Sequence, residues 1–348
     1  LARNWVGDCV DNHKQCIYSK GDTGWYPTRL LDLGESTEDF VLNKQKYPQL
    51  IKGLPLDSMP RLFQDTISVA CSLGVQYLWI DSLCIFQDKD DKTDWAHEAS
   101  LMDKVYSHSY CNISAADAEN CSWSLFNARD PHSINPETLT LDIVSDEIGG
   151  MIPVQFYVYN CDFWFEQVST ALVNKRAWVL QERILAPRVL HFGERQLMWE
   201  CCEKDAAEVF PHGLHPELAA SGNVRFKSFN LELDQVARLL WNRIIWKYTG
   251  CDISRSEDKL IACSGIAKRF ESLLQDTYVA GIWLGPGLRP GVYRAPSWSW
   301  ASIDGVIWPS TWPQDGCLFE IEDVHLSYAT PDKTGGITAG WLRLRGVL

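Results

Sequence analysis

Two acidic side chains stand where the sequence pattern predicts a ligand site. Asp81 directly follows the apolar run 75–80, which Gly74 precedes and which is typical of a strand buried on both faces in a parallel sheet. Ligands of open α/β sheets gather at the carboxyl ends of such strands, so the fold would bring Asp81 to the rim of a site. The alternative is that Asp81 caps the following turn through its own backbone.

A second acid, Glu98, lies on the apolar face of a helix that Asp94 is predicted to cap. The residues that share this face at helical spacing are Trp95, Glu98, Met102, Val105 and Tyr106. A carboxylate there must be paired with a cation, be protonated or line a cavity. The position therefore predicts either a functional acid or a structural ion pair with an arginine or lysine.

Three residues near the N-terminus have the types and spacing of metal ligands. Cys9, His13 and Cys16 form a Cys-x3-His-x2-Cys pattern that could supply three zinc ligands. A second ligand pair at the standard spacing is absent, although Cys201 and Cys202 could contribute from afar. The simpler interpretation, a local group of thiols beside a surface histidine, is therefore favoured.

Helices and strands alternate along the first part of the chain, which is the pattern of an α/β fold. We predict helices from Ser58 to Leu73, from Asp94 onward and over 175–185, and strands over 75–80, 110–116, 189–192 and 196–199. The last two strands flank Gly193-Glu194 and predict a hairpin. Residues 1–33 read as loop, and residues 117–170 as irregular. Further helices are predicted over 231–248 and 258–274.

Composition narrows the class of protein. A chain of 348 residues suggests a main domain plus a second lobe. Its net charge of −13 argues against a nucleic-acid surface, and the absence of a long apolar run predicts no membrane span. The 12 cysteines are scattered through apolar runs, as reduced thiols of a cytoplasmic protein are. No G-x-G-x-x-G run supports NAD as a bound redox cofactor.

Several long motifs together resemble the fungal heterokaryon-incompatibility (HET) domain. They are the runs 27–32 (PTRLLD), 77–85 (YLWIDSLCI), 94–106, 176–183 (RAWVLQER) and 187–190, with 295–302 (APSWSWAS) resembling a segment found downstream in the same proteins. The family usually has a further strand and turn where residues 42 and 43 adjoin, and a similar shortening follows residue 284. We expect that the gene encodes loops at these two places which the numbered sequence omits.

The resemblance implies a fold and a division of the chain. The family is regarded as distantly similar to Toll/interleukin-receptor (TIR) domains. It therefore implies an α/β fold with a parallel-sheet core flanked by helices. Residues 1–26 would be an N-terminal segment, 27–200 the TIR-like HET domain and 201–348 a mixed α+β lobe. That C-terminal lobe is tryptophan-rich, in a chain with 16 Trp, and would pack on the HET domain.

The resemblance also implies an activity. HET domains are implicated in the death of incompatible fungal cells, and some TIR domains cleave NAD through a glutamate on a helix beside the sheet. This implies Glu98, or Asp81, as the catalytic acid and NAD as a candidate substrate. The candidate substrate contacts are Trp79 and Trp95 for stacking, Arg29 and Arg176 for pyrophosphate, and Ser82 and Glu182. Tryptophans in the core and arginines in local ion pairs are the alternatives.

Two other functions fit the same features. The sheet domain could be a non-catalytic module that self-associates, with the C-terminal lobe recognising a protein partner. The scaffold could also carry another small-molecule reaction, as in secondary metabolism. Glu98 on an apolar stripe favours a pocket, and hence one of the two enzymatic readings.

Overall fold

A four-stranded mixed sheet lies at the centre of the computed structural model. The model describes residues 1–16, 24–33, 55–88, 90–130, 134–145, 149–160, 162–215, 218, 225–227, 234–274, 278, 299–302 and 319–346. The sheet has strand order β3-β6-β7-β8, formed by Asn112–Ser114, Arg188–Phe192, Leu197–Cys201 and Asp205–Ala207. β3 is parallel to β6, and the other pairs are antiparallel. The chain is therefore mixed α/β, and the predicted β6–β7 hairpin is confirmed.

Two further two-stranded sheets and one short pair complete the described strands. β1 (Leu31–Asp32) pairs with β2 (Tyr77–Leu78), β4 (Glu137–Ser145) with β5 (Gly150–Val158), and β9 (Phe319–Tyr328) with β10 (Ile337–Gly346), all antiparallel. The β4–β5 hairpin corrects the prediction that residues 117–170 are irregular. The alternation of polar and apolar residues over 138–143 and the glycine pair Gly149-Gly150 are signals of this hairpin that the prediction did not use.

The described α-helices are α1 (Ala2–Asn12), α2 (Arg61–Ser72), α3 (Asp81–Cys84), α4 (Thr93–Ser107), α5 (Ala177–Leu185), α6 (Asp234–Thr249) and α7 (Ser264–Leu274). α1 overturns the prediction of a loop over residues 1–33. It forms because Trp5, Val6 and Cys9 share one face and bury it against the sheet, where Trp5 lies 6.2 Å from Trp199.

The helices α4, α5, α6 and α7 pack around a hydrophobic core of their own. Its buried members include Leu180 and Ile184 of α5, Ile244 of α6 and Ile266 of α7. This core joins residues on both sides of the predicted boundary at 200/201. The division into 1–26, 27–200 and 201–348 stays a prediction.

The run 75–80 differs from its prediction as a buried parallel strand. Only Tyr77 and Leu78 are extended in a ladder, they pair antiparallel with β1, and Tyr77 is 52% exposed. Gly74 turns the chain before this run at φ 74°, and Asp81 begins a helix directly after it. Among the described residues the parallel pair is β3–β6. The predicted missing loops at 42–43 and 284–285 lie outside the described residues.

Candidate functional site

A cavity of about 540 Å³ opens between the end of α4, the β2–α3 turn and α5. Its described lining includes Trp25, Trp79, Asp81, Tyr106, Arg176 and Glu182. This volume is within the usual range for small-molecule sites, and the lining combines aromatic rings with a few charged groups, as such sites do.

Local structure sets the positions of Asp81, Glu182 and Arg176 in the cavity wall. Asp81 begins α3, and its Oδ1 accepts a 2.7 Å hydrogen bond from the Ser82 backbone N–H, whereas the N-cap residue of the helix is Ile80. Arg176 directly precedes α5 and Glu182 lies in its second turn. The turn after β2 and the start of α5 thus bring both acids and a cation to one cavity.

Glu182 is the most perturbed acid of the cavity. The Tyr106 hydroxyl donates a 2.8 Å hydrogen bond to Glu182 Oε2. Burial raises the pKa of Glu182 to about 7, and the negative charge of Asp81 adds to the effect, while the Tyr106 hydrogen bond and Arg176 oppose it. A carboxyl group with a pKa near neutrality can both accept and donate a proton at physiological pH. Burial likewise raises the pKa of Tyr106 well above its usual value.

Aromatic side chains form another part of the wall. Trp79 packs edge-on against Tyr106, with ring centroids 5.8 Å apart. The Trp79 Nε1 is buried and has no hydrogen-bond partner among the described groups. A buried indole N–H normally finds an acceptor, so this donor is available to a bound polar molecule.

Glu98 forms an ion pair with an arginine, which is the structural alternative given in the sequence analysis. It is 2% exposed, and its Oε1 lies 3.3 Å from Arg29 Nη2. Arg29 also donates to both carboxylate oxygens of Asp94, at 2.8 and 2.7 Å, and to the Cys84 carbonyl oxygen at 2.6 Å. Its guanidinium lies over the Phe86 ring, 4.6 Å from the centroid. Arg29 and Glu98 thus tie α4 to the segment after α3.

The structure separates the predicted site residues into two groups. Trp79, Asp81, Arg176 and Glu182 line the cavity, whereas Arg29, Ser82, Trp95 and Glu98 are not among its described lining residues. Trp95 packs edge-on against Trp178 at 6.1 Å. Tyr106 was not predicted as a site residue, although it was placed on the same stripe as Glu98. Glu98 and Tyr106 are eight residues apart, which is about 12 Å along the helix, so only Tyr106 reaches the cavity.

The candidate zinc ligands Cys9, His13 and Cys16, for which the sequence favoured the simpler interpretation, are not among the described lining residues either. They form a separate group with Cys201. The structure therefore carries two candidate sites, one acidic and aromatic and the other rich in thiols.

Comparison with protein families found a match for part of the chain. Residues 33–182 match the family model described as heterokaryon incompatibility protein (HET). Residues 33–182 are therefore similar to a HET domain, which supports a function of the heterokaryon-incompatibility type. Comparison with curated proteins and with solved structures gave no significant match. Among the described residues, no helix has the length and apolar character needed to cross a membrane.

Proposed function

We propose that this protein is an effector of heterokaryon incompatibility whose cavity binds NAD and cleaves its nicotinamide–ribose bond. The observation that carries the proposal is the group formed by Tyr106, Glu182 and Asp81 in the cavity wall, with the pKa of Glu182 raised to about 7. The catalytic role that the resemblance attached to Glu98 passes here to Glu182, because Glu182 lines the cavity and Glu98 is held by Arg29.

The proposed reaction needs few groups. The bond between ribose C1′ and the pyridinium nitrogen breaks, and its electron pair leaves with neutral nicotinamide. Asp81 stabilises the oxocarbenium-like charge that develops on the ribose. A water oxygen bonds to C1′, and its proton passes to the ionised Glu182. The Trp79 ring offers a face for stacking, and Arg176 a cation for the pyrophosphate.

Incubation of the purified chain with NAD tests this proposal, with nicotinamide release followed by chromatography. Glu182→Gln should lower the rate by about 100-fold or more, the usual contribution of a general acid or base, and Asp81→Asn should also lower it. Glu119→Gln changes an exposed glutamate outside the described lining and should keep the wild-type rate. Intact NAD after incubation at high protein concentration would contradict the proposal. A rate lost in Glu98→Gln and kept in Glu182→Gln would move the site back to α4.

A second candidate function, self-association without catalysis, is favoured by the β4–β5 hairpin. Leu139, Leu141 and Ile143 alternate along β4 and pair with Phe156, Val154 and Ile152 of β5, so all six share one face. Leu139, Leu141 and Phe156 are each more than 40% exposed. A two-stranded ribbon is only marginally stable alone, and an apolar face of this size favours a second copy of the chain as its cover.

Light scattering on size-exclusion fractions at several protein concentrations tests this second function. Leu141→Lys should shift the protein towards the monomer. Thr140→Lys places the same charge on the opposite face and should leave the mass distribution unchanged. A wild-type chain that stays monomeric at the highest concentration would contradict it.

A further inference from the structure

Three of the described cysteines and one histidine lie together at one place in the structure. The ligand atoms of Cys9, His13, Cys16 and Cys201 all lie within 4.8 Å of one another. His13 Nδ1 is 3.3 Å from Cys201 Sγ. In a tetrahedral zinc site, Zn–S bonds of about 2.3 Å place the sulfur atoms roughly 3.8 Å apart. The four side chains are therefore already close to the spacing of a ligand set.

The fold builds this group from two distant parts of the chain. Cys9 lies in the last turn of α1, His13 directly follows that helix, and Cys16 ends the 3-10 helix Lys14–Cys16. Cys201 is the last residue of β7. The three cysteines are at most 2% exposed, and none of the described cysteines forms a disulfide. The sequence near Cys9, His13 and Cys16 has no fourth ligand at the standard spacing. The central sheet supplies one, Cys201.

The groups around this cluster have the positions that outer-shell residues occupy around a bound metal ion. The Lys204 backbone N–H donates to Cys201 Sγ at 3.2 Å, and Arg188 Nε donates to Cys9 Sγ at 3.2 Å. His13 Nε2 lies 4.0 Å from Asp8 Oδ2, so the nitrogen that faces away from the cysteines meets a carboxylate. Donors to sulfur and a carboxylate behind the histidine orient ligands and tune their basicity in metal sites.

We propose that Cys9, His13, Cys16 and Cys201 bind one zinc ion that fastens the N-terminal helix to the end of β7. Three thiolates and one imidazole form a closed tetrahedral set, which is typical of structural zinc. Three thiolates and Zn²⁺ carry a net charge of −1, and Arg188 beside Cys9 offsets it. The site serves the fold rather than the reaction because it leaves no open coordination position. It does not depend on the proposed NAD cleavage.

Metal analysis of the purified full chain by mass spectrometry tests this inference, and we expect one zinc per chain. Replacement of zinc by Co²⁺ should give the visible absorption of a tetrahedral thiolate site. Cys16→Ser and Cys201→Ser should lose the metal, whereas Cys202→Ser, the buried neighbour of a ligand, should keep it. Removal of zinc by a chelator should lower the melting temperature of the wild-type chain, which keeps the test valid if a variant fails to fold.

Three results would overturn the inference. The first is a wild-type chain that contains no zinc after expression and purification in zinc-supplemented medium. The second is a disulfide between two of the proposed ligands, detected as an intact mass lower by two hydrogens and located by peptide mapping without reduction. The third is metal kept by Cys201→Ser and lost by Cys202→Ser, which would overturn the ligand assignment.

Discussion

The Tyr106 hydroxyl donates a 2.8 Å hydrogen bond to Glu182 Oε2 and so joins α4 to α5 at the wall of the cavity. The bond gives the buried Tyr106 hydroxyl an acceptor. It also stabilises the charged form of Glu182, which burial disfavours. The state of Glu182 near neutral pH is therefore set by a balance between burial and Asp81 on one side and Tyr106 and Arg176 on the other.

Glu182 should make the protein less stable as the pH rises through neutrality. Its pKa is about 7 in the folded chain and near its ordinary 4.5 when unfolded, so the unfolded state loses its proton first. Its contribution is fully present below about pH 4.5 and is lost as the pH rises to about 7. Glu182→Gln should remove this dependence, a difference on the order of 2 kcal/mol between pH 5 and pH 8 after allowance for partial exposure.

Urea unfolding of the wild type and of Glu182→Gln at both pH values measures this difference. Comparison of the two proteins cancels the titration of other groups, such as Asp205, whose pKa burial raises to about 6. Glu119→Gln serves as the control and should follow the wild type. Parallel pH profiles for the wild type and Glu182→Gln would show that the carboxyl group is not perturbed.

Tyr106→Phe should raise the pKa of Glu182 further. The substitution keeps the ring that packs against Trp79 and removes only the hydroxyl that stabilises the carboxylate. A lost hydrogen bond to a charged group costs about 1.5–3 kcal/mol at a pH where Glu182 is ionised. Unfolding curves from pH 5 to pH 9 should therefore show a loss of stability that continues to higher pH than in the wild type and grows larger, because the folded-state pKa sets the upper end of the pH range in which stability falls. A midpoint that moves to lower pH would contradict the role assigned to Tyr106.

Arg29→Met should destabilise the protein by about 3–5 kcal/mol, because it leaves the buried Glu98 and the partly buried Asp94 without their cation. Thermal and urea unfolding at pH 7 measure the loss. Arg343→Met is the matched control, since Arg343 and Asp323 form an ion pair with both side chains more than half exposed. That variant should lose less than about 1 kcal/mol. Equal losses would mean that Arg29 does not anchor α4.

Gly265→Ala should destabilise the fold although alanine favours helices. A methyl group at Gly265 of α7 would lie 2.8 Å from Leu185 Cδ1 and closer still to Asp103 Cβ, where α7 packs on α4 and α5. Overpacking of this kind costs about 1–3 kcal/mol. Gly7→Ala in α1 has open space around the added methyl and should gain up to about 1 kcal/mol from helix propensity. Denaturant unfolding of both variants checks the opposite signs.

The local pattern of the sequence was enough to predict the HET family, the helices α2, α4 and α5 and the β6–β7 hairpin. These elements follow from helical spacing, from the glycine in the hairpin turn and from long tryptophan-containing motifs, all of which depend on neighbouring residues. The same local reasoning failed for residues 75–80, where an apolar run suggested a central strand and the chain instead makes a two-residue edge pair.

Only the tertiary structure decided which acids share a cavity and which thiols share a cluster. Glu98 and Tyr106 lie on one stripe of α4, but the helical rise carries one to Arg29 and the other to Glu182. Cys201 joins Cys9, His13 and Cys16 because α1 packs on the end of β7. Contacts between residues roughly 70 to 190 positions apart depend on how whole elements pack, and residue spacing along one helix or strand does not contain that information.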